Sequence, residues 1–183
     1  MNPVKCPSST YQKGLSLMES MIAMVVLSVG LLGIAGMQLS ALKASNSANY
    51  RAIASIKASE LADRMRANLG GVYDGDYLIN TAWDCNAPPT SCVGVSAGAS
   101  CSTAQMAAFD LYQASCVNGI TDLLPTGSLS VTCTDADTGD SDPCSVGSES
   151  TITISWQSSA DAQENANQVS QLIMSVVLGF SEN

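Results

Sequence analysis

The run beginning at Leu15, "LSLMESMIAMVVLSVGLLGIAGMQLSAL", constrains this chain more than any other feature. From Ser20 to Leu42 it contains no formally charged residue. A helix crosses a bilayer with about 20 apolar residues, so the run is long enough to span one. It is too long for the core of an ordinary secretory signal, about 7–15 residues, and no small-residue cleavage site follows it. Glu19 is the exception within the run. A carboxylate in hydrocarbon is expensive, and one placed there normally has a partner or a purpose. The plain alternative is a side chain that snorkels to the interface.

Charge is segregated along the chain. The seven basic residues are Lys5, Lys13, Lys43, Arg51, Lys57, Arg64 and Arg66; beyond Arg66 thirteen acidic residues follow with no Lys or Arg. Such a region does not seek nucleic acid, anionic lipid or phosphate. It either keeps the protein soluble through self-repulsion or docks a basic partner. Lys5 and Lys13 precede the apolar run, which places the N-terminus on the cytoplasmic side. Six of the seven cysteines lie between Cys85 and Cys144. With no CxxC pattern and no histidine, they read as disulfides formed in an oxidising compartment. Cys6 stays on the reducing side.

The stretch "GLSLMESMIAMVVLSVGLLGIAGMQL" resembles the N-terminus of type IV prepilins and pseudopilins. Gly14, Leu15 and Glu19 match that family's short basic leader ending in Gly, its apolar first mature residue and its Glu at the fifth mature position. Leu15 stands where Phe is commonest, and Ser16 and Met18 where Thr and Ile are frequent. The resemblance implies cleavage between Gly14 and Leu15 by a prepilin peptidase and N-methylation of Leu15. It also gives Glu19 a partner, the new α-amino group of a neighbouring subunit entering the filament. Each charge alone is costly in a low dielectric, and together they attract strongly. A subunit arriving in register relieves both.

Helical composition continues past Leu42 to about Ala67, with alanines at positions 41, 44, 48, 52, 54, 58, 62 and 67. Asn68, Leu69, Gly70 and Gly71 supply a stop. Residues 15–67 would extend roughly 80 Å if straight, more than any bilayer. The second half therefore projects into water. Tyr50, Ala54, Leu61, Met65 and Leu69 share a face expected to pack on a globular domain. Ile53 and Ile56 lie away from it, facing neighbouring subunits or simply solvent. Gly30, Gly33 and Gly36 permit either close helix packing or local melting, since each lowers helix stability by up to about 1 kcal/mol.

Residues 72–100 look irregular. Ser102 to Gln105 fits a capping box that opens a short helix, and "DLLPTG" makes a turn. Residues 128–133 and 150–156 alternate as strands do, separated by the acidic loop "TDADTGDSDP". Residues 169–180 lean towards strand without excluding helix. The expected fold class is therefore α+β: a long N-terminal helix packed on a small antiparallel, disulfide-stapled sheet. Its parts are a leader (1–14), a membrane or filament-core half of the helix (15–42), an extracytoplasmic half (43–69) and a globular region (70–183). This order of segments is further similar to the minor pilins of the PilV type.

Six cysteines allow fifteen pairings. Cys133 and Cys144 flank the acidic loop and are paired first. Cys101 and Cys116 bracket the short helix, roughly 22 Å apart, beyond the about 7 Å that a disulfide permits. Two arrangements remain for the others: Cys85–Cys101 with Cys92–Cys116, or Cys85–Cys116 with Cys92–Cys101.

Catalytic patterns carry little here. "GVSAG", Gly94 to Gly98, matches a nucleophile elbow, but the chain has no histidine to serve as base. Asp135, Asp137, Asp140 and Asp142 offer oxygen ligands for calcium without the spacing of an EF-hand loop, and a solvated acidic loop is the better reading. No enzyme activity, cofactor or metal is expected. The resemblance implies a minor pilin that helps to prime assembly or forms part of the tip. It would be a single-pass inner-membrane protein with a periplasmic C-terminal domain before assembly, and part of a surface pilus afterwards. Its implied partners are other minor pilins, the major pilin, the prepilin peptidase, the assembly platform and the membrane, with no nucleic acid. The alternatives are a minor pseudopilin of a type II secretion system and a membrane-anchored extracytoplasmic domain with another role.

Overall fold

The computed structural model describes residues 16–80, 83–93, 100–157 and 169–179. Its elements are α1 (Leu17–Ala67), α2 (Leu69–Tyr73), α3 (Thr103–Ser115), α4 (Ile120–Leu123), β1 (Ser128–Thr134), β2 (Glu149–Trp156) and β3 (Ser170–Val177). The chain divides into two units, Met1–Leu42 and Lys43–Asn183. Helix α1 is unbroken through Gly30, Gly33 and Gly36 in the isolated chain.

In the second unit, Ala54, Ala58, Leu61, Ala62 and Met65 of α1 are buried. Their i, i+3, i+4, i+7 spacing puts them on one stripe, and Tyr50 and Leu69 pack against the same core. Ile53 also packs against it, contrary to the expectation that it faces outward. The longer Ile53 side chain reaches the core from the margin of the buried stripe. Ile56 is 65% exposed.

The expected helix stop at residues 68–71 falls on Asn68 alone. Its backbone (φ −130°, ψ 58°) leaves the helical region, and Gly70 and Gly71 join the next short helix, α2. The described residues between Asp74 and Ser100 are turns and coil, as the composition implies, with one isolated bridge at Ile79. Beyond α2, Ile79 and Val131 exchange two backbone hydrogen bonds of 3.0 and 2.7 Å. Helix α3 begins with the full capping box: Ser102 Oγ accepts from the Gln105 N–H, and the Gln105 side chain accepts from the Ser102 N–H. The turn at 122–127 contains the end of α4. There the Ile120 carbonyl occupies the space a side chain at Gly127 would need, so glycine is required.

The sheet is antiparallel, in the order β1-β2-β3. Residues 170–177 are strand, resolving the ambiguity left by their composition. Alternation sorts the two faces. Leu129, Val131, Ile152, Ile154 and Trp156 point inward and are buried with Ala107, Leu111, Ala114 and the stripe of α1. The register aligns Ser130, Thr153 and Ile173 in one outward row, with Thr132, Thr151 and Ser175 in the next. The disulfides are Cys85–Cys116, Cys92–Cys101 and Cys133–Cys144, the second of the two arrangements left open by the sequence. Cys116 caps α3, so Cys85–Cys116 ties the extended segment to the helix C-terminus.

Candidate functional site

The functional region with the clearest chemistry is the first part of α1. Ser16 Oγ accepts the Met18 N–H at 3.2 Å, covering a donor that the helix start leaves without a partner. Glu19 lies in the first turn, where the helix dipole favours a negative charge. Among the described residues its carboxylate makes no hydrogen bond or ion pair. Further along, Ser20 and Ser28 turn their hydroxyls back onto the carbonyls of Leu17 and Met24, at 2.9 and 2.7 Å. Two polar groups within the apolar run are thereby satisfied by the helix itself, as hydrocarbon demands.

Every side chain from Leu17 to Leu42 is exposed in the isolated chain; Val25, Leu27 and Leu32 are 63%, 65% and 73% exposed. Twenty-six residues of helix rise roughly 39 Å, against a hydrocarbon thickness of about 30 Å. The segment is apolar on all sides, and a helix of that kind belongs in lipid or in a core. Gly30, Gly33 and Gly36 have nothing within 4 Å of where a Cβ would sit. They leave room for a second backbone to approach.

Gly14 and Leu15 lie outside the described residues, as do Cys6 and residues 94–98, the "GVSAG" motif. The acidic loop closes on itself. Asp135 accepts from Ser145 N (2.9 Å), Ser145 Oγ (2.6 Å) and Ser148 Oγ (3.0 Å). These bonds, led by that from the Ser145 hydroxyl, lower its pKa to about 2. Among the described residues no group of three or more acidic, His or Cys side chains converges as metal ligands.

A buried polar network escaped the sequence reading. Asp110 is 4% exposed. Its Oδ1 accepts from Arg64 Nη1 at 3.0 Å and its Oδ2 from the Tyr77 hydroxyl at 2.7 Å. Asn68 Nδ2 donates to Tyr77 Oη at 3.2 Å and to the Thr103 carbonyl at 2.8 Å. Arg64 also pairs with Glu60, which pairs with Lys57. Burial opposes both charges, yet the bonds to Asp110 and Glu60 hold Arg64 above its ordinary pKa, and those to Arg64 and Lys57 hold Glu60 below its own. Burial, reinforced by Asp110, pushes the Tyr77 pKa above the usual tyrosine range. The signal was present: Asp110 shares a helical stripe with Ala107, Leu111 and Ala114, and Arg64 adjoins Leu61 and Met65. Periodicity marks each charge as bordering an inward stripe, but not that the two meet.

Two family models match. Residues 9–35 match the prokaryotic N-terminal methylation motif. Residues 36–112 match the model described as type IV pilin Tt1218. The first takes in the exposed apolar helix and Glu19; the second runs from there through α2 and most of α3. No curated protein and no solved structure matches the chain.

Proposed function

This chain is a member of the type IV pilin family, and from that premise we propose that it is a minor pilin, anchored in the inner membrane and later built into a pilus. Family membership points to a structural role rather than to catalysis. One observation carries the reading: a helix apolar on every side, bearing a lone carboxylate in its first turn, inside the residues that match the methylation motif. Prepilin peptidase cuts between Gly14 and Leu15 and methylates the new amine of Leu15. Glu19 then neutralises the amine of a neighbouring subunit, so that each addition to the filament removes two isolated charges from lipid. Lys5 and Lys13 keep the leader in the cytoplasm, and the three disulfides form on the periplasmic side.

The minor rather than major role rests on the PilV-like order of segments and on the three disulfides of the body. Major pilins commonly carry one, near the C-terminus. Here Cys144 is the last cysteine of 183 residues. In this role the protein primes assembly or sits at the tip beside other minor pilins. Deleting its gene reduces surface pili and pilus-driven motility while the major subunit is still made; normal piliation in the deletion strain contradicts the minor-pilin role. Recovery of the chain in sheared surface pili separates this reading from a type II secretion pseudopilin, which stays in the envelope. Glu19→Ala leaves processing intact and blocks incorporation, whereas a merely snorkelling Glu19 leaves incorporation unchanged.

A further inference from the structure

The two edges of the sheet are treated differently. Beside β1, Ile79 closes a bridge onto Val131, and Cys133 is tied to Cys144. Beside β3, from Gln171 to Val177, no strand or bridge is found among the described residues. Natural sheets blunt such an edge with lysine, proline, a bulge or a covering segment. The sequence of β3, SQLIMSVV, contains no charge and no proline, and its register with β2 runs without a bulge from Ser170 to Val177. The seven residues from Gln171 to Val177 give a straight edge of roughly 24 Å.

The inward side chains along this edge are apolar, and on the outward face Ile173 and Val177 alternate with Gln171 and Ser175. Ile173 and Val177 point outward, 64% and 54% exposed. Leu172, Met174 and Val176 point inward and only partly cover themselves against the core. A further strand with alternating apolar residues would complete that cover while satisfying the edge backbone, the mode of strand addition. Charge selects the partner. Glu149 lies opposite Val177, at the end of the sheet where the β1–β2 connection carries Asp135, Asp137, Asp140 and Asp142. No Lys or Arg follows Arg66. A second copy of this chain brings the same acidic body and is repelled; a basic segment is attracted.

We propose that the outer edge of β3 is a docking site for an extended segment of a different protein, with alternating apolar residues and lysine or arginine where it passes Val177 and Glu149. The site lies outside the residues that match the family models, and the inference stands whether or not the chain is a minor pilin.

The test places a photo-crosslinking benzoylphenylalanine at Val177 of the full-length chain, expressed in its native host. The expected adduct, sequenced by mass spectrometry, is a peptide of a different chain with alternating apolar and basic residues. Ile173→Lys puts a charge on the edge and abolishes the adduct. Thr132→Lys, on the exposed outer face of β1, keeps it. Ser175→Lys serves as a second edge variant, and intact disulfides on a non-reducing gel show that each variant is folded. An adduct to this chain itself, to a second copy or to an acidic segment overturns the proposal. So does the absence of an adduct, or one that survives both edge substitutions in folded protein.

Discussion

Leu27 and Leu61 belong to the same helix, yet one is 65% exposed and the other 1%. Around Leu27, between Leu17 and Leu42, no side chain is buried, Glu19 is the one charge, and the polar hydroxyls of Ser20 and Ser28 bond to the helix's own carbonyls. Around Leu61, the alanines are buried in one core with residues of α3 and the sheet, and Arg64 and Asp110 meet across the two helices. Among the described residues no side chain of the first region is buried, the state of a helix suited to packing in lipid or against other subunits. The second holds a buried core of its own. A subunit that exchanges a membrane for a filament needs this division: an adhesive element that the body does not consume, and a body whose fold does not change when that element moves.

Substitutions at the two leucines put the largest expected effect on this contrast. Leu61→Ala removes a buried side chain from a packed core and destabilises the body by about 4 kcal/mol. Leu27→Ala, in the same detergent-solubilised full-length chain, alters body unfolding by less than about 0.5 kcal/mol. Guanidinium unfolding followed by tryptophan fluorescence reads both; equal effects would show that the regions are not energetically separate. Next in size is the cross-link between Cys85 and Cys116, which are 31 residues apart. Replacing both with Ser costs about 3.5 kcal/mol on the loop-entropy account, against about 2.5 kcal/mol for the shorter Cys92–Cys101 loop. The reverse order would mean that local packing, not loop closure, sets their value.

The smallest effect is on pH dependence. Tyr77 has its pKa raised by burial and by Asp110, so the folded state holds the phenolic proton more tightly than the unfolded chain. That stabilisation is fully present below the unfolded value, about 10, and is lost as pH rises from there through the higher folded value. Wild-type denaturation midpoints should fall above this pH more steeply than those of Tyr77→Phe. Parallel curves would remove Tyr77 from the account.

Much of this contrast was legible in the sequence because it depends on local pattern. The uncharged run after Glu19, the capping box at Ser102 and the β-branched alternation of residues 150–156 each specify an element without help from distant residues. The two cysteine arrangements also followed from helix length once Cys133 and Cys144 were paired, but choosing between them required knowing where Cys85 lies in space. The misreadings occurred where tertiary contacts decide. The stop read at residues 68–71 does end α1 at Ala67, but Gly70 and Gly71 go on into α2 beyond Asn68, whose side chain is engaged by Tyr77 and Thr103. Ile53 looks like an outward residue, yet its side chain reaches the core from the margin of the buried stripe. The Arg64–Asp110 pair joins positions 46 residues apart, a distance over which periodicity carries no information. The exposed edge of β3 is likewise a property of strand order, which no single strand encodes.

We propose that the bare helix is a processed assembly element rather than a permanent anchor. Mass spectrometry of the mature chain's N-terminal peptide, prepared from membranes and from sheared surface material, tests it directly. The account predicts that the chain begins at Leu15 and carries a single methyl group on its α-amine, with Gly14 and everything before it removed. A chain that still begins at Met1, or one cut near Ala44 so that the apolar helix is discarded, would contradict it.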